Sequence, residues 1–294
     1  MYWSILMSTY TIFADSACDI PVDMLDEWGV KHCDLSLLFT EKGETLQNSD
    51  ISADEFYSRM RGGEVATTSA VNAGAFKKAF EEELAQGNDI FYLGFSSGIS
   101  ATYNSAVIAA EELREKYPDR KIVTVDSLCA SVGFGLLLYL CVKQKNAGKS
   151  IEDLTKYATD SKLHVCHWFT VDDLVYLRRG GRVSGAAATV ATILNIKPVL
   201  HVDNEGKLIN MYKVRGRKKA VHALADNFGK LACQPYEGTI FIGHGDCLED
   251  AQSLAKILND EYGASVDLIT DVGPVIGAHS GPGTLALFFI GNER

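Results

Sequence analysis

Apolar and polar positions follow two periods in turn along the first half of the chain. Short apolar runs at residues 10–14, 32–39, 90–95 and 121–125 read as strands. Between them, patterns of period 3.6 at 21–28, 53–61, 73–84 and 101–116 read as helices, and one more helix follows Ser127. The longest apolar stretch, 128–142, is interrupted by Gly133 and Gly135. It is shorter than the roughly 20 residues of a bilayer span, so a buried helix is expected there. A further helix is expected at 151–161, after the turn-like Asn146 to Ser150. Such alternation predicts an α/β domain with functional residues at the carboxyl ends of its strands, where Asp15-Ser16, Ser96-Ser97 and Asp126-Ser127 fall.

The pattern changes after residue 162. Strands are expected at 163–170, 197–202, 208–214, 239–243, 265–270 and 284–290, with helices at 220–231 and 248–262. Asp203-Asn204-Glu205-Gly206 has the composition of a hairpin turn and predicts antiparallel pairing. The fold class is therefore α/β with two domains. Residues 8–162 should form a three-layer domain on a mainly parallel sheet, and 163–294 an α+β domain with a mixed or antiparallel sheet.

With 294 residues, 47% of them hydrophobic, the chain can bury cores for two such domains. A formal net charge of -10 argues against a nucleic-acid partner, which needs a basic face. The seven cysteines are odd in number and contain no C-x-x-C pair, as expected of reduced thiols in a cytoplasm. The opening MYWSILMSTY lacks the basic flank of a secretory signal, and either Met1 or Met7 can serve as the start. No stable membrane insertion is expected. His164, Cys166 and His167 invite a metal reading, but alternation along a strand turns His167 away from the other two.

The segment 91–103, FYLGFSSGISATY, carries the densest chemistry. An apolar strand ends in Ser96, Ser97, Ser100 and Thr102, where a helix start should offer free backbone N–H groups and a favourable dipole to an anion. Gly94 to Gly98 also spells G-x-S-x-G, the elbow that presents a nucleophilic serine in α/β hydrolases. On that reading Ser96 is the nucleophile, with His279 as base and Asp271 as its orienting carboxylate. No upstream oxyanion loop of the HGGG kind accompanies it. Other glycine signals fail on context. Gly148-Lys149-Ser150 lacks the leading glycine of a P-loop, and Gly281-Pro282-Gly283 leads into a strand rather than a helix.

Taken in order, the landmarks resemble the DegV family of bacterial fatty-acid-binding proteins, which includes the fatty-acid-binding subunits of fatty acid kinase. They are Asp15-Ser16-Ala17-Cys18-Asp19, Thr67-Thr68-Ser69, Ser96 to Tyr103, Asp126-Ser127, Gly180-Gly181-Arg182-Val183-Ser184, Ile196 to Leu200, Arg215-Gly216-Arg217 and Gly277 to Gly283. The resemblance spans nearly the whole chain. It implies a non-enzymatic protein that holds one long-chain fatty acid, such as palmitate, between two domains, with no cofactor and no metal. It places the carboxylate on the hydroxyls of Thr68 and Ser97, with Ser69 and Ser96 beside them. In the kinase-linked branch, basic residues matching Arg182, Arg215 and His279 meet the kinase or the acyl-phosphate. The family's Gln-Pro after Thr-Ser is replaced here by Ala70-Val71.

A fatty acid needs a dry channel for its tail and donors for its head. About fourteen buried methylenes at ~0.8 kcal/mol each supply about 11 kcal/mol before association costs, so the tail dominates affinity. The head needs only that its buried carboxylate be hydrogen-bonded. Candidate tail contacts are Phe91, Phe95, Phe134, Leu137, Ile193, Leu194, Phe288 and Phe289, each equally suited to core packing. Two alternatives stay open at this point: the serine hydrolase at Ser96, and a subunit of a sugar-kinase type binding a small polar ligand such as dihydroxyacetone.

Overall fold

The structure is a computed structural model that describes residues 9–184, 195–233 and 235–294. In the first half, strands β1 (Tyr10–Asp15), β2 (Val30–Cys33), β6 (Asp89–Gly94) and β7 (Ile122–Asp126) form an all-parallel sheet in the order β2-β1-β6-β7. Around it run α1 (Val22–Glu27), α2 (Ala53–Arg61), α3 (Ala73–Leu84), α4 (Thr102–Lys116), α5 (Ser131–Asn146) and α6 (Ile151–Ser161). Every residue of β6 is buried, as befits a central parallel strand covered on both faces. A small antiparallel sheet, β4-β3-β5, is built from β3 (Ser36–Phe39), β4 (Glu44–Gln47) and β5 (Ala66–Ser69).

Among the described residues, the later strands join one mixed sheet in the order β13-β12-β14-β8-β10-β11-β9. They are β8 (Val165–Thr170), β9 (Val183–Ser184), β10 (Ile196–Val202), β11 (Leu208–Arg215), β12 (Ile240–His244), β13 (Leu268–Asp271) and β14 (Leu285–Ile290). Helices α7 (Val175–Gly180), α8 (Arg217–Leu231), α9 (Leu248–Tyr262) and α10 (Pro274–Ser280) complete it. The period-2 alternation of β14 sorts its side chains. Leu285, Leu287 and Phe289 pack with α8 and α9, while Ala286 and Phe288 join the core of the first half.

Helix α5 lies between the two large sheets, and its glycines explain how. A Cβ on Gly133 would come within 2.5 Å of the Phe288 ring, and one on Gly135 within 2.5 Å of Ile20 Cδ1. Glycine costs helix stability of about 1 kcal/mol per residue, but here it lets both sheets close on one buried helix.

Two expectations need correction, and one motif takes a form for which no element was expected. Residues 32–39 are two strands in different sheets, because the chain bends at Asp34-Leu35, where Leu35 N–H donates to Ser16 Oγ. Thr67 to Ser69 form a strand, and the cap of α3 is Asn72, whose side chain accepts from Ala75 N–H. Five N–H groups around the loop after β6 are already engaged within the protein. Ser97 N–H donates to Asp126 Oδ1, Gly98 N–H to Ser96 Oγ, Ile99 and Ser100 N–H to the Ser96 carbonyl, and Thr102 N–H to Ser100 Oγ. Among the described residues, no helix is long and apolar enough to cross a membrane.

Candidate functional site

A cavity of about 180 Å³ lies between the two halves. Leu35, Phe95, Leu177, Val202, Val275 and Phe288 give it a mainly apolar wall, broken by Thr68, Ser100, Ser131, Arg182, His279 and Ser280. Thr68 comes from β5, Ser100 from the loop after β6, Ser131 from the start of α5, Arg182 from just past α7, and His279 and Ser280 from the end of α10.

Thr68 sits on β5 opposite Leu37 of β3. Strand alternation exposes its neighbours Thr67 and Ser69 and turns Thr68 toward α10. There Thr68 Oγ1 lies 2.7 Å from His279 Nε2. Helix α10 is a short segment started by Pro274 at its first position and ended at Gly281, whose φ of 80° only glycine adopts readily. Burial and the nearby Arg182 charge lower the His279 pKa to about 4, so the ring is neutral at pH 7. Its Nδ1 is buried, has no hydrogen-bond partner, and faces the Gly180 Cα, where a Cβ would stand only 2.0 Å away. Across the contact one partner donates and the other accepts, according to the tautomer of the neutral ring. The pair sets a hydroxyl and an imidazole side by side on the cavity wall.

Two acidic residues shape the surrounding loops. Asp15, at the end of β1, accepts from Tyr92 OH, Phe95 N–H and Ala17 N–H, which fixes the start of the loop after β6. Burial pushes its carboxyl up to about 6. Asp19, at φ 52°, accepts from Ser131 Oγ on the cavity wall. Burial, and then the charges of Asp15 and Asp271, push Asp19 up to about 8. The acidic pair of the opening motif thus serves to hold loops.

The expected site residues separate. Thr68, Arg182 and His279 share the cavity wall. Ser97 is exposed and lines an outer depression that shares Ile99, Ser100, Ala101 and Arg182 with the cavity. Ser69 faces outward, and Arg215 is exposed at the end of β11, opposite Ile196. Arg182 donates from Nε to the Ile99 carbonyl, joining α7's end to the loop after β6. Of the tail candidates, Phe95 and Phe288 line the cavity, Phe91, Phe134, Leu137 and Phe289 are buried in the cores, and Ile193 and Leu194 fall outside the described residues. Sequence reading missed Ser280, whose buried hydroxyl lines the wall without a partner. Its only signal was adjacency to His279.

The hydrolase constellation does not assemble. Ser96 is fully buried, donates to the Gly206 carbonyl at 2.9 Å and accepts from Gly98 N–H at 3.1 Å. His279 bonds Thr68 instead, and the ion pair of Asp271 is with His244 at 3.3 Å. A nucleophile needs its base within hydrogen-bond reach, and Ser96 has none. His164, Cys166 and His167 each bond a different backbone group: the carbonyls of Gly291 and Glu293 for the first two, and Val165 O with Ala130 N–H for His167.

Comparison with known proteins gives a consistent picture. The model of the DegV family of uncharacterised proteins matches residues 9–292. A DegV domain-containing protein of Clostridium perfringens is 43% identical over 290 residues, covering 98% of this chain and 99% of that protein. Among solved structures, a fatty-acid-binding DegV family protein from Thermus thermophilus superimposes with a TM-score of 0.87 at 28% identity, covering 96% of this chain and 99% of that one. A stearic-acid-binding protein from Eubacterium ventriosum gives a TM-score of 0.86 at 26% identity, with 96% and 98% covered.

Proposed function

The chain belongs to the DegV family, and from that premise we propose that it binds a long-chain fatty acid such as palmitate and presents the carboxylate to a separate fatty acid kinase. One observation carries the reading: an apolar cavity whose wall holds the Thr68 hydroxyl, 2.7 Å from a neutral His279. Residues 8–162 supply the hydroxyls and residues 163–294 close over the tail. Thr68 grips one carboxylate oxygen, and Ser97, in the depression just outside, meets the head where a kinase approaches. Ser96 and Ser69 act beside them, Ser96 by holding the loop against Gly206. Arg182 and Arg215 face the acyl-phosphate or the kinase, where a cation stabilises added negative charge. Seven unpaired cysteines support work in the cytoplasm.

The cavity of about 180 Å³ compares with the roughly 150 Å³ that takes up benzene, so a long acyl chain needs more room than this volume gives. Displacement of a fluorescent fatty acid by palmitate tests the proposal. Competition by palmitate supports it, and displacement by dihydroxyacetone but not palmitate would favour the small polar ligand.

A further inference from the structure

We propose that Arg294 is a positioning residue for the acyl site, a clasp whose hold on three wall segments sets how fast the fatty acid enters and leaves. The inference rests on the fatty-acid reading above. All five guanidinium N–H groups have acceptors. Nε donates to the Val165 carbonyl at 3.1 Å, Nη1 to the carbonyls of Leu128 at 2.6 Å and Asp203 at 3.0 Å, and Nη2 to Cys129 Sγ at 3.1 Å and to the Lys162 carbonyl. These acceptors come from the loop after β7, the connection into β8 and the β10–β11 hairpin. One planar fork thus holds both halves at once.

The held segments stand directly behind the cavity wall. Ala130 follows Cys129, Val202 precedes Asp203, and His167 lies two residues past Val165; all three line the cavity. Ala130 N–H donates to His167 Nε2, so the first and third segments also lock to each other. The Arg294 charge lies close enough to lower the pKa of His167, behind the larger effect of burial. Leu128 sits at φ 51°, a left-handed backbone unfavourable for a bulky side chain, and its carbonyl is one of those that Arg294 holds.

The hold reaches the cavity mouth through the hairpin. Asp203 accepts Gly206 N–H at its carbonyl and Glu205 and Lys207 N–H at its carboxylate, which shapes the turn. The tip then presses on the loop after β6. Gly206 O accepts from Ser96 Oγ, and a Cβ on Gly98 would come within 2.5 Å of Glu205 O. Removing Arg294 frees the hairpin, the Ser96–Ser100 loop and the wall behind Ala130 together.

The test follows release of cis-parinaric acid by stopped flow from the full-length protein and its Arg294→Ala variant. The expected result is release about tenfold or more faster, slowed again by added guanidinium ion that refills the vacated fork site. Amide hydrogen exchange without ligand should quicken at Gly98 and Gly206. Should the alanine variant not fold, Arg294→Lys, which keeps the charge and loses the fork, carries the same prediction. Release at the wild-type rate, or faster release that guanidinium does not slow, overturns the clasp. Wild-type protein that does not take up cis-parinaric acid sinks the fatty-acid reading instead, and unchanged exchange at Gly98 and Gly206 then overturns the clasp separately.

Discussion

Thr68 and His279 stand 211 residues apart in the chain, and their side chains meet at 2.7 Å across the two halves of the molecule. The histidine ring is neutral, and its far nitrogen faces Gly180, where a Cβ would stand 2.0 Å away. The Thr68–His279 contact therefore exists only when β5 and α10 are packed together.

Thr68→Val keeps the β-branched shape that suits a strand and removes the donor. A hydrogen bond to a charged group contributes about 1.5–3 kcal/mol, so fatty-acid affinity should fall roughly 10- to 100-fold, with a stability cost of about 1–3 kcal/mol because His279 Nε2 loses its partner. Titration calorimetry with palmitate reads this directly. Equal affinities would remove Thr68 from the head-group site.

Gly180→Ala should mimic loss of His279. The new Cβ would lie 2.0 Å from His279 Nδ1, which forces the imidazole away from Thr68. Overpacking of this kind costs about 1–3 kcal/mol of stability, and binding should weaken as in Thr68→Val. A variant that binds palmitate as the parent does would show that the Thr68–His279 contact is dispensable.

Two of the perturbed groups near the cavity, Asp19 and His279, make stability depend on pH in opposite directions. Asp19 is raised to about 8, so the folded state keeps a proton that the unfolded chain loses above about 4, and stability declines as pH rises from there toward 8. His279 is lowered to about 4, so the unfolded chain binds a proton first, and stability declines as pH falls from about 6.5 toward 4. Urea unfolding across this range should show Asp19→Asn flattening the alkaline decline and His279→Gln the acid one. Variants with the parent's pH profile would refute the assignment.

Fluorophosphonate probes should leave Ser96 unlabelled, because its hydroxyl is buried and committed to the Gly206 carbonyl. A covalent adduct at Ser96, found by peptide mass spectrometry, would revive the hydrolase reading.

Much of the fold was legible in the chain because periodicity is strong where burial is one-sided or complete. The fully buried β6 and the amphipathic α9 stand at or within a residue of their expected places. The small sheet was not legible. Strand β4 offers Leu46 as its one large apolar residue, and Thr67-Thr68-Ser69 reads as a cap by composition because Ser and Thr serve caps and strands alike. Helices α7 and α10, of 6 and 7 residues, are too short for a 3.6 period to declare itself. For the site, motif order brought Thr68, Arg182 and His279 forward together, and the structure puts all three on one wall. What no local pattern could reveal is the Nδ1–Gly180 approach, since it depends on how α7 and α10 pack.

Lipid analysis of the purified protein bears most directly on the central claim. Protein taken from a bacterial host, weighed by native mass spectrometry and then extracted with organic solvent, should carry one long-chain fatty acid per chain and rebind palmitate after delipidation. A chain that arrives empty and takes up no added palmitate would contradict the account.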